Sequence, residues 1–234
     1  MTVKKLYVVG SGAMGSGIAQ TAATHGIQVI MNDINEEFVA KGYNKIKKSL
    51  EKAVTKGRMT EEAKEEALAN LTTTVSLEDA KDADFVIEAA SENKEIKLGI
   101  FKQLDKICKP EAILASNTSS LPITEIAAAT ERPDQVIGTH FFNPVPAMKL
   151  LEIVMGLQTS ETTYQAALAL GEQLEKVPVK AIDKGGFIVN RLIDPFINEA
   201  VFMLEEGVGT AEDIDNGSSK ACMSYFDFIA VNNN

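Results

Sequence analysis

Leu6-Tyr7-Val8-Val9-Gly10-Ser11-Gly12-Ala13-Met14-Gly15 decides the fold: a brief apolar, β-branched run passes straight into three glycines at G-x-G-x-x-G spacing, and a helical stretch, Met14 to His25, follows at once. Three glycines alone are a weak signal. A strand before them and a helix after them is the context a dinucleotide fingerprint requires. Gly10 permits the tight turn, Gly12 lets backbone N–H groups approach a pyrophosphate, and Gly15, with Ala19 and Ala22, lets the helix pack close to the strand. Ala13 and Met14 lie within the same fingerprint, where the loop opens into the helix. The pyrophosphate then sits at a helix N-terminus, where unpaired N–H groups and the macrodipole favour negative charge.

Outward from this motif the chain alternates short apolar runs with helical stretches. Gln28 to Met31, Phe85 to Glu88, Ala112 to Ala115, Gln135 to Thr139 and Val177 to Ala181 read as further buried parallel strands. Glu36 to Lys56, Thr60 to Asn70, Lys94 to Ile107 and Thr162 to Glu175 read as helices. The pattern predicts right-handed βαβ units and an α/β fold with a doubly wound, mainly parallel, Rossmann-like sheet. After Ala181 the strand signals stop. Phe187 to Glu206 predicts a long helix, apolar around much of its circumference and kinked at Pro195, that needs partners to cover it. The glycines of Asp183-Lys184-Gly185-Gly186 mark a boundary, giving a dinucleotide-binding domain over 1–183 and a helical domain over 184–234.

The second strand ends in Met31-Asn32-Asp33, placing a carboxylate where such folds hydrogen-bond the adenosine ribose hydroxyls. Ile34, Asn35, Glu36 and Glu37 follow. That stretch offers no cation for a 2′-phosphate, so NAD is expected rather than NADP; an acidic helix start at Asp33 or Asn35 is expected as well.

Composition narrows the classes. The formal net charge of -10 disfavours nucleic acid and anionic membrane surfaces, and any anionic ligand must meet a local basic patch. No apolar run is long enough to span a bilayer, and the N-terminus leaves no room for a signal peptide before the first strand. Cys108 and Cys222 stand far apart with no second cysteine at metal spacing, which implies neither a disulfide framework nor a metal site and fits a reducing, cytoplasmic setting. Lys41, Lys45, Lys48, Lys52 and Lys56 share one face of their helix. That face is either a solvated surface or the strip that an anionic ligand needs.

Of two histidines, His25 ends a helix, where a cation is a common device. His140 follows Val136-Ile137-Gly138-Thr139 and is expected just past the end of a parallel strand, where open α/β sheets place their ligand crevice. An imidazole there can act as a general acid or base. Ser116-Asn117-Thr118-Ser119-Ser120 brings hydroxyls past the end of another strand. Glu152 stands in Lys149-Leu150-Leu151-Glu152-Ile153, and Asn190 in Gly186-Phe187-Ile188-Val189-Asn190-Arg191.

With Ser116-Asn117-Thr118-Ser119, His140-Phe141-Phe142-Asn143-Pro144 and Gly186 to Arg191 together, the chain resembles the L-3-hydroxyacyl-CoA dehydrogenase family over about Lys4 to Asp215. The resemblance implies an NAD-dependent oxidoreductase of fatty-acid or butanoate metabolism, transferring hydride to or from C3 of a short-chain 3-hydroxyacyl-CoA or 3-ketoacyl-CoA. It makes His140 the acid/base, Glu152 its orienting carboxylate, and Ser119 and Asn190 the pair that holds the substrate oxygen. Glu92, Lys97, Ser119 and Asn143 join the fingerprint residues at the cofactor. Glu92 and Lys97 read equally well as a solvated helix start. Because CoA is a polyanion, Lys52 and Lys56 become candidates for its 3′-phosphate ADP end.

The resemblance also implies a homodimer, but family members continue for several more helices. Here Thr210-Ala211-Glu212-Asp213 opens like a capping box, and Asp215-Asn216-Gly217-Ser218-Ser219 is poor helix material. The residues from Lys220 to Asn234 match nothing familiar. A truncated helical domain, exposed apolar helix faces and weakened dimerisation or catalysis are therefore expected. Two other readings stay in play: a lysine-dependent β-hydroxyacid dehydrogenase of the 3-hydroxyisobutyrate or 6-phosphogluconate type, and a cofactor-binding fragment or redox sensor without turnover.

Overall fold

The computed structural model describes residues 2–220. Eight strands, β1 Lys5–Val9, β2 Gln28–Asn32, β3 Leu71–Thr74, β4 Phe85–Glu88, β5 Ile113–Ser116, β6 Val136–Phe141, β7 Leu150–Met155 and β8 Val177–Ile182, form one sheet in the order β3-β2-β1-β4-β5-β6-β7-β8. Every neighbouring pair is parallel except β6–β7. The helices are α1 Ala13–Thr24, α2 Glu36–Thr55, α3 Glu61–Ala69, α4 Lys94–Ile107, α5 Ile123–Ala127, α6 Glu161–Gln173, α7 Val189–Glu205 and α8 Ala211–Lys220.

Strand order reverses at β1–β4, the switch point at which such sheets open a crevice at their carboxyl ends. The strands that flank it are buried on both faces: Leu6, Val8, Phe85 and Ile87 fill one apolar core and Tyr7, Val9 and Val86 the other. Helix starts are fixed by side chains. Asn35 accepts from the Phe38 N–H, Asn93 from Ile96 and Ser160 from Thr163, so α2, α4 and α6 start on polar caps, whereas α1 and α5 start at Gly12 and Pro122 without one.

Two strands escaped the sequence reading. β3 is three threonines after one leucine, only Leu71 being buried, as suits a sheet edge. β7 carries Glu152 in its middle, and its partner runs antiparallel. In consequence His140 lies inside β6 and not beyond a strand end as expected.

The chain divides into two compact units, Met1–Phe187 and Ile188–Asn234. In the second, α7 runs from Val189 to Glu205 with Pro195 inside it. No residue of α7 is buried, and Leu192, Ile197, Val201 and Phe202 are exposed, so the partners expected for this helix do not cover it among the described residues. α8 corrects another expectation, because it continues through Asp215 to Lys220. Its start explains why: Thr210 accepts from the Asp213 N–H at 3.2 Å, and Glu212 and Asp213 occupy the first turn. The segment 221–234, including Cys222, lies outside the described residues.

Candidate active site

The fingerprint turn follows β1 directly. Gly10 has φ +98°, and a Cβ there would meet the Ala89 carbonyl oxygen at 2.6 Å; a Cβ on Gly15 would sit 1.8 Å from the Gly10 oxygen. These two glycines are required by the protein's own backbone. Gly12 differs, since a Cβ there would meet nothing within 4 Å, and its backbone faces a cleft of about 560 Å³ lined also by Ser11, Asp33, Lys41, Ala89 and Ala90. A glycine that leaves open space beside a helix N-terminus is what a closely approaching pyrophosphate needs, so a dinucleotide fits this cradle. Asp33 lies on the cleft wall at the end of β2. Lys41 and Lys45 line it too, so although Ile34 to Glu37 carry no cation the cleft as a whole does.

Next along the sheet, β4 ends in Glu88, which is fully buried. Its carboxylate accepts from the Ala90 N–H at 2.8 Å, the Lys97 ammonium at 2.7 Å and the Ser116 hydroxyl at 2.7 Å. Lys97, 1% exposed, also reaches Glu92 at 3.2 Å. Glu92 accepts from the Thr118 hydroxyl, and from the Ser119 N–H at 3.0 Å. Burial is the largest influence on Glu92 and pushes its pKa up, but the Thr118 hydroxyl, the Lys97 charge and the Ser119 amide together outweigh it and hold the carboxyl below its ordinary value. The turn carrying Ser119 is thus tied to β4 through two carboxylates and one ammonium. Ser116 and Thr118 belong to the hydroxyl-bearing run read from sequence, but Glu88 was not singled out; a glutamate closing an otherwise apolar strand, Phe85-Val86-Ile87-Glu88, was the available signal.

β6 and β7 supply the chemistry. His140 and Glu152 are directly opposite in the antiparallel register, so both side chains rise from the same face of the sheet. His140 Nδ1 lies 2.6 Å from Glu152 Oε2, with the histidine 6% exposed and the glutamate wholly buried. Phe142 and Phe187 pack on the imidazole at centroid distances of 4.5 and 5.8 Å. Asn117 Oδ1 accepts from the Phe141 N–H at 2.9 Å, joining the Ser116–Ser120 turn to the histidine strand. With Nδ1 held by the carboxylate, Nε2 is the nitrogen available for proton exchange.

A family model for the NAD binding domain of 3-hydroxyacyl-CoA dehydrogenase matches residues 5–184, and one for its C-terminal domain matches 186–227. The chain belongs to the 3-hydroxyacyl-CoA dehydrogenase family. It is 50% identical over 215 residues to a probable 3-hydroxybutyryl-CoA dehydrogenase of Bacillus subtilis, covering 92% of this chain and 75% of that one. It is 48% identical over 211 residues to a 3-hydroxybutyryl-CoA dehydrogenase of Clostridioides difficile, covering 90% and 75%. A crystal structure of (S)-3-hydroxybutyryl-CoA dehydrogenase from Ralstonia eutropha superimposes with a TM-score of 0.91 at 46% identity, over 95% of this chain and 78% of that one.

For a 3-hydroxyacyl-CoA dehydrogenase the remaining residues fall as follows. Lys52 and Lys56 line a second cavity of about 670 Å³, with Lys45 and Arg58, and Asn143 lines this cavity and not the cleft around the fingerprint. Ala13 lines both. The lysine face of α2 is therefore shared between two cavities, Lys41 belonging to the first and Lys52 and Lys56 to the second. Asn190 is the second residue of α7, in the second unit. No helix among the described residues is long and apolar enough to cross a membrane, and no group of metal-binding side chains occurs among them.

Proposed function

We propose that the chain interconverts a short-chain 3-hydroxyacyl-CoA and its 3-ketoacyl-CoA with NAD, the four-carbon pair 3-hydroxybutyryl-CoA and acetoacetyl-CoA being the preferred substrates. The observation that carries this reading is the buried His140–Glu152 pair at 2.6 Å, two strands along the sheet from β4. Bound NAD supplies a hydride acceptor for C3, and NADH the donor in reverse. His140 Nε2 takes the proton of the 3-hydroxyl as C3 becomes a carbonyl, and returns it in reduction. Glu152 keeps the proton on Nδ1 and stabilises the imidazolium while it exists. The Ser119 hydroxyl, on a turn fixed by Glu92 and Asn117, hydrogen-bonds the substrate oxygen, a preorganised contact of the kind whose loss costs about 100- to 1,000-fold. Asn190 takes its share of that role from the family resemblance alone. The aromatic rings of Phe142 and Phe187 keep water from the imidazole.

Lys52, Lys56 and Arg58 meet the 3′-phosphate ADP end of CoA; with Lys45 they put four cations around one cavity, which answers a polyanion that the net charge of -10 repels elsewhere. The relatives' names support the four-carbon substrate. A homodimer and a cytoplasmic location belong to the same reading, supported by the family resemblance and by the absence of a cysteine framework. NADH absorbance followed with acetoacetyl-CoA tests it: substrate-dependent oxidation is expected from the wild type and not from His140→Gln. Tight NADH binding without turnover on 3-ketoacyl-CoAs of any length would instead leave a cofactor-binding module.

A further inference from the structure

We infer that Ser11 is the positioning residue for Asp33 and, through that contact, a determinant of the preference for NAD over NADP; the inference rests on the cofactor reading above. Ser11 is the second residue of the fingerprint and is 5% exposed. Its backbone N–H donates to Asp33 Oδ2 at 2.7 Å and its hydroxyl lies 2.6 Å from the same oxygen, while the Ile34 N–H donates to Oδ1 at 2.8 Å. A carboxylate offers about four acceptor directions. Ser11 takes both of those on Oδ2 and Ile34 takes one on Oδ1, so a single direction, on Oδ1, is left for a ribose hydroxyl.

The hydroxyl is itself confined. It has one proton, and its only other acceptor within reach among the described residues is the Phe38 carbonyl oxygen at 2.9 Å, at the start of α2. A Cβ on Gly42 would meet both the Ser11 Cβ and the Ser11 carbonyl oxygen at 2.7 Å, so α2 presses directly on this serine. Asp33 is thereby held at one orientation on the wall of the cleft.

Rejection of a 2′-phosphate cannot rest on a lack of cations, because Lys41 and Lys45 line the same cleft as Asp33. It rests on an anion fixed where the phosphate would go. Once released, the Asp33 side chain can turn to another staggered rotamer, withdrawing its charge and leaving the two lysines to receive a phosphate.

The test is to measure dissociation constants of NADH and NADPH by fluorescence on the whole chain, for wild type, Ser11→Ala, Asp33→Ala and the double variant. The ratio of the NADPH to the NADH constant is expected to fall about tenfold in Ser11→Ala, the size of one hydrogen bond to a charged group. It should fall further in Asp33→Ala, and adding Ser11→Ala to Asp33→Ala should change nothing more, the signature of one residue acting through another. Lys41→Ala in the Asp33→Ala background should weaken NADPH and spare NADH. Should Ser11→Ala fail to fold, Ser11→Gly, which only removes atoms, reads the same ratio. An unchanged ratio in the single variant, or an equal effect of Ser11→Ala with and without Asp33, would overturn the inference while leaving the cofactor reading intact. A wild-type protein that binds neither nucleotide would overturn both.

Discussion

Replacing Glu152 with glutamine strikes the proton-transfer machinery at its most enclosed point. The side chain has no exposure and its carboxylate stands 2.6 Å from His140 Nδ1. Glutamine keeps the volume, so the packing of β6 on β7 survives; what disappears is the negative charge facing an imidazole that becomes cationic each time it takes a proton. Two unit charges with centres about 4 Å apart interact by about 4 kcal/mol at an effective dielectric of ~20. At about 1.4 kcal/mol per factor of ten, the barrier rises by roughly three orders of magnitude in rate. A second effect adds to the first. If the amide nitrogen turns toward Nδ1 it demands an acceptor there and drives the ring proton to Nε2, the wrong tautomer for a base; the equivalent change in a hydrolase triad costs about 10⁴-fold. The expected result is a kcat for acetoacetyl-CoA-dependent NADH oxidation lowered about 10³- to 10⁴-fold. The dissociation constant of NADH should be unchanged, because the cradle is built at the ends of β1 and β2. Steady-state rates at saturating substrates, with circular dichroism to confirm folding, decide the matter. A folded Glu152→Gln protein with kcat within roughly tenfold of wild type would refute the proton-transfer role, since a charge pair this close and this buried is worth more than about 1.4 kcal/mol.

Further expectations separate binding from folding. Gly12→Ala should keep the wild-type melting temperature and lose NADH affinity, because a Cβ there meets nothing in the protein, whereas Gly15→Ala, with a Cβ 1.8 Å from the Gly10 oxygen, should lose about 3 kcal/mol or more of stability as well. Thermal melts and NADH titrations of the pair distinguish them. Charge reversal at Lys52 and Lys56 should raise KM for acetoacetyl-CoA, less so at high salt, and leave NADH binding unchanged; an unaltered KM would remove the CoA assignment. Burial pushes the Cys108 thiol up to about 11 from 9.0. The stability it contributes is accordingly present below pH 9 and lost as pH rises toward 11, and alkylation of Cys108 near pH 8, read by peptide mapping, should be far slower in the folded than in the denatured protein.

The parallel strands were legible because burial on both faces makes them short apolar runs that turn residues interrupt. β3 was not, since Thr72, Thr73 and Thr74 carry no apolar period and their pairing to β2 is a long-range contact. α8 was missed for a different reason. Propensity argued against Asp215 to Ser219, but a capped first turn at Thr210 and an acidic Glu212–Asp213 start outweighed a few tenths of a kcal/mol per residue. The cofactor cradle was readable almost whole, being local in sequence. The Glu88–Lys97–Glu92 cluster was not, because it gathers side chains from β4, α4 and the turn after β5, and only the fold brings these together.

The same holds for the chemistry, with a sharper consequence. His140 and Glu152 were recognisable as types, yet twelve positions of separation say nothing about contact. What joins them is the antiparallel register running from Gly138 opposite Val154 to Phe141 opposite Leu151. In a sheet the side-chain period is two, so a slip of one residue would send the Glu152 carboxylate through to the opposite face. There the buried neighbours on β6 and β7 are Ile137, Thr139, Phe141, Leu151 and Ile153, four apolar side chains and one hydroxyl, and an unpaired carboxylate would be costly. Folding and function therefore select the same register. The side chain that must be paired to be buried is also the one that must face the imidazole to act, which is why a charged residue can occupy the middle of an interior strand.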